Sequence, residues 1–435
     1  MSEGQIVVDA ASDDVIHLIL NGASITSSDG AVIDGKQSAK IIITLAEGTE
    51  NTVTDGSSYS EIDEDEEPDA AIFSKDEITI NGSGSLTVEG NYKNGIHGKD
   101  GLKIINGTIT VDAANHAISG KDYIAVSGGT LNLTSAEDAL HSATDVSITE
   151  GKITINAGDD AIHADSTVTI DGGIIQIEKS NEGIEGTVVT INSGDISVIS
   201  SDDGINGSNG LTDDTATDET TDDMSGKGGM GGAMENDESV LVVINGGKLY
   251  INAEGDSIDS NGSLSITGGE IGIDGTISGG NGILDYNGTG EITGGTLVGV
   301  GTSDMAQLFS DSSTQYSLIY GYDSTQSAGT QVILKDSSGN EIASITPAKT
   351  YQAVIISNPS LTQGETYSLY SADTKVADIT PDSVNIMTGT ISGGQGGMGG
   401  GANGMDRGQG GGPGGADIGR SGTLGGPDSS GKEIQ

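Results

Sequence analysis

The stretch Asp159-Asp160-Ala161-Ile162-His163-Ala164-Asp165-Ser166-Thr167-Val168-Thr169-Ile170-Asp171-Gly172-Gly173-Ile174-Ile175-Gln176-Ile177 contains the three strand runs of one structural period, which continues to Ser180. Ala161-Ile162-His163 is a short β run. Val168-Thr169-Ile170 alternates in and out, Gly172-Gly173 turns the chain, and Ile175-Gln176-Ile177 alternates again. Period-2 runs separated by Gly, Asn and Asp are the signature of strands and turns. The same unit recurs along the chain. The apolar residues Ile96, Ile118, Leu140, Ile162, Ile184 and Ile205 follow one another at spacings of 22, 22, 22, 22 and 21 residues. A fixed period of this length means one supersecondary unit stacked on itself.

Second runs at 102–104, 124–126, 146–148, 189–191 and 264–266 match the first example. So do third runs at 109–111, 131–133, 153–155, 196–198, 249–251 and 271–273. Gly107, Gly129, Gly151, Gly173 and Gly194 keep the beat at a corner that requires positive φ. Three short strands per coil of about 22 residues, in register, predict an all-β chain folded as a parallel β-helix. Parallel strands joined by crossovers favour a right-handed coil, and the absence of six-residue repeats agrees. Counting from Ile6 to about Val300 gives about eleven coils. At one strand spacing per coil that is a rod on the order of 50 Å.

The repeat sets the domain reading. Residues 1–310 form the β-helix, interrupted by an acidic loop at 61–68 and by an Asp/Thr then Gly/Met insert at 208–238 that reads as disordered. Residues 311–391 hold longer strand patterns and most of the tyrosines, and read as a C-terminal β cap or small β module. Residues 392–435 are a Gly-rich disordered tail.

Composition narrows the partners. The 435 residues carry 65 acidic against 17 basic side chains, a formal net charge of -48. Nucleic acid and anionic lipid need a basic surface, so neither is a partner. Cations, and ligands that are neutral or bridged by cations, remain. There is no cysteine, hence no disulfide framework and no thiolate metal site. No apolar run is long enough to span a bilayer. No secretory leader precedes Ser2-Glu3-Gly4, yet the β pattern has begun by Ile6-Val7-Val8, so the sequence reads as one from which a leader has been trimmed.

The residues before each apolar member form an acidic stack: Glu137-Asp138, Asp159-Asp160, Asn181-Glu182 and Asp202-Asp203. Asn94, Asn115, Asp256 and Asn281 hold comparable places, and Glu185, Asn206 and Asp259 follow the apolar residue by one. Carboxylates one strand spacing apart repel. Calcium, which takes 6–8 oxygen ligands, relieves that repulsion. The alternative is plain turn chemistry, which Asp and Asn also favour. His97, His141 and His163 share the position after the apolar residue, and read as outward polar positions rather than a zinc site.

Catalysis finds little support. A polyuronate lyase needs a strong base and positive charge, yet the only arginines are Arg407 and Arg420 in the Gly-rich tail. A hydrolase needs two convergent carboxylates, which the stack does not rule out. A lyase or hydrolase of pectin, and a surface adhesin or structural rod, are the competing readings.

The repeated Asp-Asp-Ala-Ile-His and Asp-Asp-Gly-Ile-Asn motifs, with Val168-Thr169-Ile170-Asp171-Gly172-Gly173, resemble a family of bacterial right-handed parallel β-helix proteins classed as carbohydrate-binding, of the clostridial cellulose- and polygalacturonate-binding type. Lys227-Gly228-Gly229-Met230-Gly231-Gly232 and the closing segment from Val354 to Leu361, then Gly364 to Tyr370, are similar too. The resemblance runs from about Gly30 to Gly393. It implies a non-catalytic, secreted or cell-surface protein that binds Ca2+ and plant cell-wall polysaccharide, acidic polygalacturonate (pectin) or cellulose. It assigns the metal to Asp138, Asp159, Asp160, Glu182, Asp202 and Asp203; the coils of Asn94 and His116 depart from the motif. The chain has no tryptophan to serve as a flat sugar platform. That favours a polar, acidic glycan, whose carboxylates could complete the coordination of a protein-held calcium.

Overall fold

A computed structural model describes residues 2–60, 62, 67–210 and 236–391. Among these residues there is no helix. A β-solenoid of about 12 turns carries the chain, every strand pairing in parallel with its counterpart one turn on, as the 22-residue period requires. The sequence count of about eleven falls short because a further strand, Ser2–Glu3, already pairs with Ser24–Thr26.

Three ladders form the three faces. The first stacks Ile96 on Ile118, Ile118 on Leu140, Leu140 on Ile162, Ile162 on Ile184, Ile184 on Ile205 and Ile205 on Ile258. The second aligns Leu102, Ile124, Val146, Val168 and Val189 with Val242 and Leu264. The third aligns Ile109, Leu131, Ile153, Ile175 and Ile196 with Leu249, Ile271 and Leu297. These residues form one continuous core, in which the β-branched members sit in wells of their own kind one strand spacing away. A core this narrow has no room for a large aromatic set, which explains the chain's 3% aromatic content.

The turn glycines behave as read. Gly151 has φ +119 and Gly173 φ +93, the left-handed region where any Cβ is strained. The long insert does not disturb the register, since Ile205 still pairs with Ile258. Most of that insert, the core of the acidic loop and the Gly-rich tail lie outside the described residues.

Residues 311–391 close the solenoid. The last parallel strand, Thr296–Gly301, pairs antiparallel with Tyr351–Ser357, which pairs antiparallel with Ser317–Gln326, itself parallel to Asn385–Gly389. A second antiparallel sheet joins Glu341–Ile345, Val332–Lys335, Tyr367–Ser371 and Thr374–Ile379. The two pack around Tyr351, Val354, Ile356, Leu369 and Val300. Reversing strand direction at Tyr351–Ser357 ends the parallel ladder and covers its open edge.

Ile162 is fully buried in the middle of its column. Ile162→Ala should lower the unfolding free energy by about 2–5 kcal/mol, since neighbours fixed by ladders on both sides cannot collapse into the cavity. Chemical denaturation measures it; a loss below about 1 kcal/mol would contradict a rigid column.

Candidate metal centre

Two columns run along the first face beside the isoleucines. The residue two before each apolar member is, in order, Asn94, His116, Asp138, Asp160, Glu182, Asp203, Asp256 and Gly282. The residue one after it is His97, Ser119, His141, His163, Glu185, Asn206, Asp259 and Asp285. The two columns are three residues apart along the chain but adjacent in space, because the backbone bends between them. Each coil therefore contributes a facing pair.

The first column has a structural task. Backbone N–H groups at the bend would be orphaned, and the side chain one coil below accepts them. His116 N–H donates to Asn94 Oδ1 at 3.2 Å, Asp160 N–H to Asp138 Oδ1 at 3.0 Å and Asp256 N–H to Asp203 Oδ1 at 2.6 Å. Gly282 N–H donates to Asp256. This satisfies buried donors and accounts for Asp and Asn in the column without any ligand. Only one oxygen of each carboxylate is used in this way.

The second oxygen changes character along the column. At its N-terminal end neutral or paired groups prevail: His97 Nδ1 lies 2.7 Å from Asp69 Oδ1, beside Asn94. In the middle, Asp138 Oδ2 faces two imidazoles, at 2.8 Å from His141 Nδ1 and 3.5 Å from His116 Nδ1. Burial would raise Asp138, but the His141 hydrogen bond and the charge of His116 overrule it and hold the carboxyl below its usual range. Burial, then the neighbouring His141, press His116 down to about 4.

One coil on, His163 Nδ1 lies 3.0 Å from Asp160 Oδ2 and 2.8 Å from Glu185 Oε2, and its Nε2 3.1 Å from Asp165 Oδ1. Burial works against the imidazolium, yet the hydrogen bonds to Asp160 and Glu185 win and carry it up to about 11. Asp160 stays raised, through burial and its contact with Glu185, while Glu185 is lowered by His163 despite burial. Here the protein supplies its own cation.

Beyond His163 no base remains in the two columns. Burial, then the charges of Glu185 and Asp160, push Glu182 up to about 9. Burial, then Asp256, raises Asp203 to about 7. Burial, then Asp203 and Asp256, raises Asp259 to about 8, and burial, then Asp285 and Asp202, raises Asp256 to about 6. One oxygen each of Asp256, Asp259 and Asp285 lie within 4.8 Å of one another. Asn206, which pairs with Asp259 across the ladder, is only 6% exposed. Its Nδ2 donates to Glu182 Oε2 at 2.8 Å, but its Oδ1 is buried without a partner. A Cβ on Gly255 would stand 2.4 Å from Oδ1 of both Asp202 and Asp203, so glycine keeps that oxygen pair open.

Of the six acids read from the motif, Asp138, Asp160, Glu182 and Asp203 stand in the first column. Asp159 and Asp202 lie one residue earlier and are exposed. The structure thus divides the six by burial. The histidines are not simply outward polar positions: the rings of His116 and His141 stack at 4.2 Å and 11°, and His141 and His163 at 5.2 Å and 17°. Asp256 and Asp259, which the sequence places in the same two columns, meet Asp285 here; Asp285 alone escapes the sequence reading, because the facing position of its coil is Gly282 and not an acid.

The fold is a parallel β-solenoid that carries acids, amides and histidines in two columns along one face. The chain belongs to the family of carbohydrate-binding domain-containing proteins, whose model matches residues 1–279. It is 43% identical over 113 residues to a carbohydrate-binding domain-containing protein of Acetivibrio thermocellus; that match covers 26% of this chain and 40% of the relative's length. A solved structure of a polysaccharide lyase-like protein from C. thermocellum, a gadolinium derivative, is 25% identical. It aligns over 67% of this chain and 82% of that one with a TM-score of 0.30.

The titration behaviour fixes a sign. Above pH 6.5 the unfolded carboxylates are already ionised, whereas folded Asp203, Asp259 and Glu182 still hold protons up to about 7, 8 and 9. His163 keeps its proton up to about 11 when folded but loses it near 6.5 unfolded. The folded state binds more protons throughout, so stability falls as pH rises. In metal-free buffer the melting temperature should drop steadily from pH 6.5 to 9; a flat or rising profile would show that these groups are not close together when folded.

Proposed function

We propose that this protein is a non-catalytic carbohydrate-binding protein that holds Ca2+ in the acidic columns and, through it, acidic plant cell-wall polysaccharide of the polygalacturonate (pectin) type. The observation that carries the reading is the base-free oxygen set beyond His163: Asp256, Asp259 and Asp285 converging within 4.8 Å, beside the orphaned Asn206 Oδ1. A hard cation with 6–8 oxygen ligands fits hard donors of this kind, and the Asp203 and Glu182 carboxylates can add to them. Like charge stacked without compensation is what raises these groups, and a bound cation removes the cause.

When bound, calcium supplies coordination positions that a uronate carboxylate can fill. The protein's own residues do the rest. Asp256 and Asp203, each tied by one oxygen to the backbone of the next coil, keep the other oxygen fixed. Repetition at one strand spacing presents acids in a straight line along the rod, suited to an extended chain of repeating sugar acids. On this reading a chain of net charge -48 binds a polyanion through the cation held between them.

One feature favours binding over cleavage by a lyase. The two columns carry no arginine or lysine of the kind a polyuronate lyase uses as base and charge stabiliser. The reading carries with it a location outside the cell or on its surface, where such polymers are met.

Affinity electrophoresis in polygalacturonate gels tests it. Retardation should require calcium, vanish with chelator, and weaken at least about tenfold in Asp259→Asn and Asp285→Asn. Retardation indifferent to chelator, or release of unsaturated uronides from pectin, would replace this function with another.

A further inference from the structure

We propose that His116, Asp138 and His141 form a separate site for zinc or a zinc-like divalent ion, distinct from the oxygen-only positions proposed for calcium. The three arise from two coils. The ladder that pairs Ile118 with Leu140 sets His116 directly beneath Asp138, and His141 reaches the same carboxylate from the second column. One ligand atom of each lies within 4.8 Å of the others.

The arrangement is better built than a chance meeting of surface groups. Asp138 is 5% exposed, and its Oδ1 is already committed to the N–H of Asp160 at 3.0 Å. That leaves Oδ2 aimed at both imidazoles, with the carboxylate held by an outer hydrogen bond of the kind that orients metal ligands. The His116 and His141 rings lie nearly parallel, 11° apart at 4.2 Å, and each has its Nδ1 near Asp138 Oδ2. His141 Nδ1 takes Oδ2 at 2.8 Å. His116 Nδ1 is left at 3.5 Å, buried and without a hydrogen-bond partner. A buried ring nitrogen with no partner is costly, and one ion bound to both nitrogens and Oδ2 would satisfy all three.

The donor set selects the ion. Two imidazole nitrogens and one carboxylate oxygen suit zinc, cobalt or nickel and are poor for calcium, which takes oxygen. Three protein ligands also leave a fourth position open to water or to a sugar hydroxyl or carboxylate. His163, in the next coil, belongs to a separate cluster with Asp160 and Glu185. It separates the mixed site from the acids beyond. His116 comes from a coil that departs from the acidic motif, and that departure is what supplies the second nitrogen.

The test uses the full chain without an affinity tag, stripped with chelator and titrated with Co2+ and Zn2+. One Co2+ per chain should bind with the visible absorption of a low-coordinate nitrogen-containing site, Zn2+ should displace it, and a hundredfold excess of Ca2+ should not. His116→Gln and His141→Asn should each weaken Co2+ binding at least about tenfold, while Asp259→Asn leaves it unchanged. His141 is the more exposed of the two histidines, so His141→Asn remains informative if His116→Gln fails to fold; circular dichroism of the metal-free variants checks that. Co2+ binding unaffected by both histidine variants, or lost to equimolar Ca2+, would overturn the proposal. Because the readout is spectroscopic and needs no polysaccharide, it stands or falls apart from the calcium-bridged function.

Discussion

The described solenoid depends on parallel pairing of each strand with its equivalent one coil away. Each strand is held by its counterpart about 4.8 Å above and below, so a residue never meets an arbitrary neighbour; it meets its own equivalent from the adjacent coil. For isoleucine that is favourable, since identical β-branched side chains nest, and the column from Ile96 to Ile258 is buried along its length. For aspartate it is a liability, since like charges are delivered to one another at the same spacing. The fold that makes the core easy to build makes the polar edge electrostatically strained.

The protein manages that strain differently along its length. Around Asn94 it uses amides. Around Asp138 and Asp160 it interleaves histidines, which either neutralise or share the carboxylates. Beyond Glu182 one amide, Asn206, remains in the two columns, and the acids are raised by burial and by one another. The same columns thus pass from internally compensated to uncompensated within a few coils. An ion at the proposed oxygen-only site would replace protons, whereas one at the proposed Asp138 site would replace the imidazole contacts of His116 and His141. The two proposed sites differ in donor chemistry for that reason.

The columns also perform a humbler duty. Asn94, Asp138, Asp203 and Asp256 accept backbone N–H groups at the bend. That duty explains why oxygen-bearing side chains recur where no cation is needed, and why turn chemistry and ion chemistry cannot be separated by residue type. The distinction lies in the second carboxylate oxygen, whose surroundings vary from coil to coil.

The sequence by itself determined the solenoid, its period, the inward isoleucines and the positive-φ glycines, because a period of 22 is a local, countable property and parallel stacking is the arrangement that gives every coil the same environment. It also determined that the residues before Leu140, Ile162 and Ile205 form an acidic line. What only the tertiary structure decided is which acids meet. Asp159 and Asp202 point to solvent, while Asp256, Asp259 and Asp285 converge, although the insert lies between them and the motif that advertised the site. His116, which breaks the acidic motif, proves to stack on His141. Contacts of this kind depend on the bend that brings two columns together and on the register being kept across the insert, and neither is written in any single coil.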